Sequence, residues 1–227
     1  MNLLAIDTAA EQFSVALAAG DATLLFEADA GLRHSELAMD IIDMLLGKAA
    51  LKPADLSGVV CMGGPGSFTG LRIGFAIAKG LALSLGIPFA AIPTLDCLAR
   101  PLCAWPGTVV PALDAKQGAF FCALYQGGAK LSPDMDAPPE EIASAIGAAI
   151  SVAPGPILLT GPGAQLLYEK VYTLDPQLNL KTDQALRRGN AQTLLLIARE
   201  TGALTRAADP SCGPVYIRKS DAEQMKN

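Results

Sequence analysis

Residues 63–74 read GGPGSFTGLRIG and place five glycines in twelve positions, directly after the apolar run 57–62 and directly before an apolar helical pattern. A strand, a glycine turn and a helix start can aim backbone N–H groups at an anion, and the helix dipole favours negative charge there. The loop matches neither common phosphate cradle. Walker A needs a lysine and a hydroxyl after its last glycine, whereas Gly70 is followed by Leu71 and Arg72. The dinucleotide pattern G-x-G-x-x-G fails because Thr69 stands where the third glycine is required after Gly64 and Gly66. Two readings stay open: an anion or nucleotide contact through Gly64 and Gly66, and a turn N-capped by Ser67 or Thr69 that starts a closely packed helix.

Asp7 and Thr8 end the first apolar run, 3–6, where a carboxylate can either organise a phosphate or cap a neighbouring element. Both are therefore candidate nucleotide contacts, beside the reading of Asp7 as a structural cap. Asp114 also follows an apolar run and alone says little. His34 is the only histidine in the chain. An HExxH zinc protease is thereby excluded, and any Ser-His or Cys-His hydrolase would have to run through His34. His34, Ser35 and Glu36 are consecutive at a helix start, and consecutive helical residues do not face one another. The trio reads as cap and interface, and no catalytic residue or metal ligand is assigned.

The chain has 227 residues, a net charge of −5 and five cysteines. An acidic balance argues against a broad electrostatic grip on nucleic acid. The basic pairs Arg187-Arg188 and Arg218-Lys219 read as solvated surface. Cys61, Cys97, Cys103, Cys122 and Cys212 make no CxxC, which fits reduced, mostly buried thiols. No uninterrupted apolar run reaches the roughly 18 residues of a spanning helix. The start MNLLAIDTAAEQF lacks a basic segment before its apolar run, so the expected location is cytoplasmic.

The elements that must hold these residues follow from periodicity. Residues 3–6, 13–18 and 23–27 read as a meander of three strands, and Leu37, Ile41, Met44 and Leu45 set a helical period over 35–47. A fourth strand at 57–62 runs into the glycine loop, and a helix follows over 69–85, with Gly70, Gly74, Ala78 and Ala82 four apart. That small-residue row lets another helix approach closely. Gly86-Ile87-Pro88 ends the helix before a strand at 89–92. Beyond a proline-containing connection, strands are expected at 108–113, 119–125 and 156–160, and helices at 139–150, 164–173 and 191–204. The pattern predicts α/β architecture in two lobes, 1–106 and 107–227, the last segment packing back on the first.

Several stretches together carry a resemblance: LAIDTAAEQFSVAL from Leu4, RHSE from Arg33, GGPGSFTGLRIGFAIAKGLA from Gly63, LDAKQGAFFCALY from Leu113 and PVYIR from Pro214. They are similar to the TsaB (YeaZ) family, bacterial partner subunits in making threonylcarbamoyladenosine in tRNA. The resemblance implies an actin-like, sugar-kinase-like (ASKHA) fold with ribonuclease-H-like lobes. It also implies a paralogue of the catalytic TsaD subunit without its chemistry, since 93–98 lack the histidine pair that holds TsaD's metal and Asp7-Thr8-Ala9-Ala10 lack the glycine of an ASKHA phosphate loop. On this likeness the helices after RHSE and after GPGSFTG pair with TsaD or with a second copy, with Arg33, His34, Glu36, Leu37, Ile41, Leu45, Leu71, Phe75 and Lys79 as contributors. TsaE is implied at the junction, tRNA through the complex only, and ATP or ADP, if any, at that junction and not as a cofactor of this chain. The competing class is a self-sufficient ATPase or small-molecule kinase of the same fold.

Overall fold

A computed structural model of the chain describes residues 1–31, 33–185, 189–205 and 212–217. The two basic pairs noted above lie outside the described residues. The chain forms two compact units, Met1–Cys97 with Arg187–Tyr216, and Leu98–Leu186 with Ile217–Asn227.

In the first unit β1 (Leu3–Asp7), β2 (Gln12–Ala19) and β3 (Ala22–Asp29) form an antiparallel meander. Then come α1 (His34–Lys48), β4 (Gly58–Gly64), α2 (Phe68–Leu85), β5 (Phe89–Pro93) and α3 (Thr94–Ala99). The sheet order is β3-β2-β1-β4-β5, with β4 parallel to both β1 and β5. Strand alternation sends successive residues to opposite faces. Leu4, Ile6, Val15, Leu17 and Cys61 join a core under α1 and α2, and Leu3, Ala5, Ala16, Val60 and Met62 join a second core on the other face.

The second unit holds β6 (Thr108–Asp114), β7 (Phe120–Cys122), β8 (Tyr125–Gln126), β9 (Ala129–Lys130), β10 (Met135–Ala137), α4 (Pro139–Val152), β11 (Ile157–Thr160), α5 (Ala164–Leu174) and β12 (Leu180–Thr182). Its main path, β10-β7-β6-β11-β12, has the same parallel and antiparallel pairings as the first sheet, while β8 and β9 branch from β6. The expected strand 119–125 is thus two strands, because the chain leaves the β7 ladder after Cys122 and re-pairs with β6 at Tyr125.

The final described helix, α6 (Ala191–Thr201), stops at Gly202, whose left-handed φ of 62° fits a C-terminal glycine cap and shortens the expected 191–204 helix. Its Leu194, Leu195, Ile197 and Ala198 complete the second core of the first unit. Burying each such leucine or isoleucine contributes about 1.5–3 kcal/mol. This docking is why 187–216 belongs to the first unit. The division expected at 106/107 falls instead at Cys97/Leu98, since Cys97 is fully buried in that same core.

Candidate functional site

Asp7 lies at the end of β1 and is 2 % exposed. Its Oδ1 accepts from the Ala9 N–H at 3.0 Å, and its Oδ2 accepts from the backbone N–H of Asn190 at 3.0 Å and from Asn190 Nδ2 at 3.1 Å. Asn190 is the N-cap residue of α6, so the carboxylate sits at a positive helix end and ties that helix to the strand. Beside it Ser14 Oγ accepts from the Ala191 N–H at 3.0 Å. Burial pushes the Asp7 carboxyl above its ordinary range, against the opposing pull of these donors and of nearby His34. Of the two readings of Asp7, the structure realises the cap.

The glycine loop closes over the same strand end. Ser67 N–H donates to the Ala9 carbonyl at 2.8 Å, and Thr8 Oγ1 donates to the Gly70 carbonyl at 2.7 Å. A Cβ at Gly66 would stand 2.7 Å from the Ala9 carbonyl oxygen, one at Gly74 2.6 Å from Thr8 Oγ1, and one at Gly70 inside the Thr8 carbonyl oxygen. At Gly64, with φ +103°, a Cβ would collide with the Val215 carbonyl. The space these glycines leave is filled by the chain itself. Asp7 and Thr8 are thus bonded within the chain, and Gly64 and Gly66 are places where backbone passes too close for a Cβ. The row Gly70, Gly74, Ala78 and Ala82 is buried in its own unit, where Ala78 and Ala82 share a core with Ala38, Ile42 and Leu45 of α1. Ser67 is the N-cap of α2, its Oγ accepting from the Gly70 N–H at 3.3 Å.

The expected partner residues divide by burial. Leu45, Leu71 and Phe75 are 3 %, 1 % and 4 % exposed and belong to the core, which removes them from any outer surface. The wheel explains the correction: the helical period identifies apolar residues without saying which arc meets the sheet. His34 is also buried, its ring edge-on to Phe13 at 5.7 Å, with Nε2 lacking a hydrogen-bond partner. Arg33 and Glu36 are exposed, and Leu37 and Ile41 are half-buried on the flank of α1. Lys79 is half-buried and donates from Nζ to the Cys212 carbonyl. The outer surface instead carries Met39, Met44 and Leu83, exposed by 45, 42 and 77 %. Met39 and Leu83 escaped the sequence reading: Leu83 lies away from the arc of Leu71, Phe75 and Ala78 that meets the core, and Met39 lies on the flank of α1 beside Ala38 and Ile42.

A family described as TsaD: tRNA N6-adenosine threonylcarbamoyltransferase matches residues 28–224. The chain belongs to the TsaD family. Within it, the likeness runs to TsaB. The TsaB protein of Bacillus subtilis (strain 168) is 41 % identical over 128 residues, 56 % of each chain. That of Escherichia coli (strain K12) is 36 % identical over 129 residues, 56 % of this chain and 55 % of the relative. The matched part thus spans about half the length of these curated relatives. The solved YeaZ from Pseudomonas aeruginosa superimposes with a TM-score of 0.78 at 25 % identity, covering 95 % of this chain and 99 % of that one. The expected α/β fold of this TsaB/YeaZ group is therefore the fold observed.

Proposed function

We propose that this TsaD-family chain is a non-catalytic subunit in tRNA threonylcarbamoyladenosine biosynthesis. It binds a TsaD-type enzyme through the outer arcs of α1 and α2 and supports threonylcarbamoyl transfer to adenosine of tRNA, with a TsaE-type ATPase. The observation that carries the non-catalytic reading is Asp7. A strand-end carboxylate that accepts three hydrogen bonds from Ala9 and Asn190 is engaged in holding α6, which supports a structural role over one in organising metal or phosphate. Met39, Met44 and Leu83 supply the apolar anchors expected of a partner surface. In isolation the same arcs pair two copies of the chain. The location is cytoplasmic, tRNA is met only through the complex, and any ATP or ADP at the junction is held by partner residues.

The test is reconstitution: transfer to unmodified tRNA by the cognate TsaD-type and TsaE-type proteins, supplied with threonylcarbamoyl-adenylate, with and without this chain. Activity that requires the chain, and that is lost when it replaces the TsaD-type subunit, supports the proposal. Full activity without it contradicts the proposal, and saturable ATP hydrolysis by the isolated chain would favour a self-sufficient ATPase.

A further inference from the structure

Residues 212–216, CGPVY, lie on the flank of the glycine loop and α2 within the first unit. The contact is made mainly by backbone. Val215 N–H donates to the Gly63 carbonyl at 2.8 Å, and Lys79 Nζ donates to the Cys212 carbonyl. Gly64 makes the seat deep enough, because a Cβ there would strike the Val215 carbonyl. Two side chains have seats: Cys212 packs against the core under α1 and α2, and the Tyr216 ring lies 4.8 Å from the Phe68 ring, its hydroxyl accepting from Arg72 Nε at 3.2 Å. Arg72 in turn lies over Phe68, 3.8 Å from the ring centre. Phe68, Arg72 and Lys79 share one line of α2, since four and seven residues are close to whole turns.

A strand-end carbonyl, a missing Cβ, an aromatic ring and two cations along one line are the groups by which a protein binds an extended peptide. Backbone hydrogen bonds give affinity in such sites, and alternate side-chain seats give specificity. The segment itself has that alternation: Cys212 and Pro214 are half-buried, whereas Gly213 and Val215 are exposed. Its grip is shallow, with Val215 58 % and Tyr216 38 % exposed. A core element would bury these side chains, whereas a bound peptide need not.

We propose that this flank is a peptide-binding groove that the chain's own 212–216 segment occupies in cis as an exchangeable strap. Its ligand class is an extended segment that carries an aromatic residue: Gly64 admits the backbone, and Phe68 with Arg72 seats the ring. Tethering gives the resident strap an effective concentration in the mM range, so a free peptide enters only when the strap is weakened. Leu83 continues the line of Phe68, Arg72 and Lys79 on α2, so the strap lies beside the surface proposed to meet the partner, and the peptide experiment reads it without that partner.

The experiment uses the full chain and a fluorescent peptide of residues 210–219, read by polarisation. The wild type is expected to leave the peptide free up to roughly mM concentration. The double variant Val215→Pro and Tyr216→Ala, which removes the strap's N–H donor and its ring, is expected to bind it at least tenfold more tightly. A peptide carrying the same two changes is expected not to bind. Equal binding to wild type and variant, or none to a variant that melts cooperatively, overturns the proposal. Hydrogen exchange on the wild type covers a variant that fails to fold. The Val215 amide should exchange through local opening, well ahead of Ile6 and Val60, and exchange only on global unfolding would make the segment a fixed core element and end the proposal.

Discussion

The two units share one strand order and one set of pairings, yet they use their equivalent aspartates in opposite ways. Asp7 ends β1 buried, capping α6 with its carboxylate, and burial raises its pKa. Asp114 ends β6 partly exposed, accepts from the N–H of Lys116 at 2.8 Å and pairs with its Nζ at 2.9 Å, and these contacts lower its pKa. The glycine turns that follow the fourth strand of each path repeat the comparison. Ser67 N–H bonds to Ala9 in one unit and Gly163 N–H to Ala112 in the other, so both turns fold back on the first strand's end. In the first unit α6 occupies the strand-end carboxylate as well. A shared topology thus sets where a carboxylate stands, and the neighbour that reaches it decides whether it is structure or surface.

The contrast breaks most readily at the glycines. Gly70→Ala drives a Cβ into the Thr8 carbonyl and should cost about 3 kcal/mol, whereas Gly80→Ala and Gly147→Ala, with no neighbour within 4 Å, should each stabilise by up to about 1 kcal/mol. Urea denaturation checks all three, and equal stability for the Gly70 and Gly80 variants would mean that α2 is not seated on Thr8. Asp7→Ala comes next, expected to cost about 2–3 kcal/mol by leaving the α6 donors unsatisfied, against less than about 1 kcal/mol for Asp114→Ala.

Acid should act on the two aspartates with opposite sign. A raised folded-state pKa means the native state binds the Asp7 proton more tightly. Its stabilising contribution is present at low pH and is lost as pH rises from the ordinary carboxylate value through the raised one. The wild type should therefore gain on Asp7→Asn as pH falls from neutral through the raised value towards the ordinary carboxylate value of about 4. Asp114, with a lowered pKa, contributes above its ordinary value and loses that contribution as pH falls through the folded value. The wild type should lose ground to Asp114→Asn only below about pH 4. Melting curves across this range check both signs. The smallest effect on folding is expected at Met44→Glu and Leu83→Glu, each within about 0.5 kcal/mol because the side chains are exposed.

Much of this fold was legible. The meander, α1, α2 and the strands around them follow from a period that changes from two to 3.6, and Gly86 and Ser67 mark the ends of α2 as capping chemistry predicts. The short β9, β10 and β12 were not legible, because two or three residues carry no period and their pairing is set by distant strands. The site was half legible. Asp7 and the glycine loop stand out by residue type, but their meaning lies in Asn190 and Val215, 183 and 151 residues away from Asp7 and Gly64 in sequence. Leu71 and Phe75 failed as surface residues for a similar reason. Helical spacing shows that α2 has an apolar arc, and only the packed sheet shows that Leu71 and Phe75 face inward while Leu83 faces out.

The most direct test of the subunit reading is calorimetric titration of the TsaD-type partner with the wild type, with the Met44→Glu and Leu83→Glu double variant, and with Val152→Glu as control. Val152 is 88 % exposed at the end of α4 in the second unit, so its change alters charge and exposed apolar area without touching α1 or α2. The account predicts that the double variant loses at least a hundredfold in affinity, about 2.7 kcal/mol, while the control binds as the wild type does. Undiminished binding by the double variant would contradict the account, because the outer arcs of α1 and α2 would then not be the pairing surface.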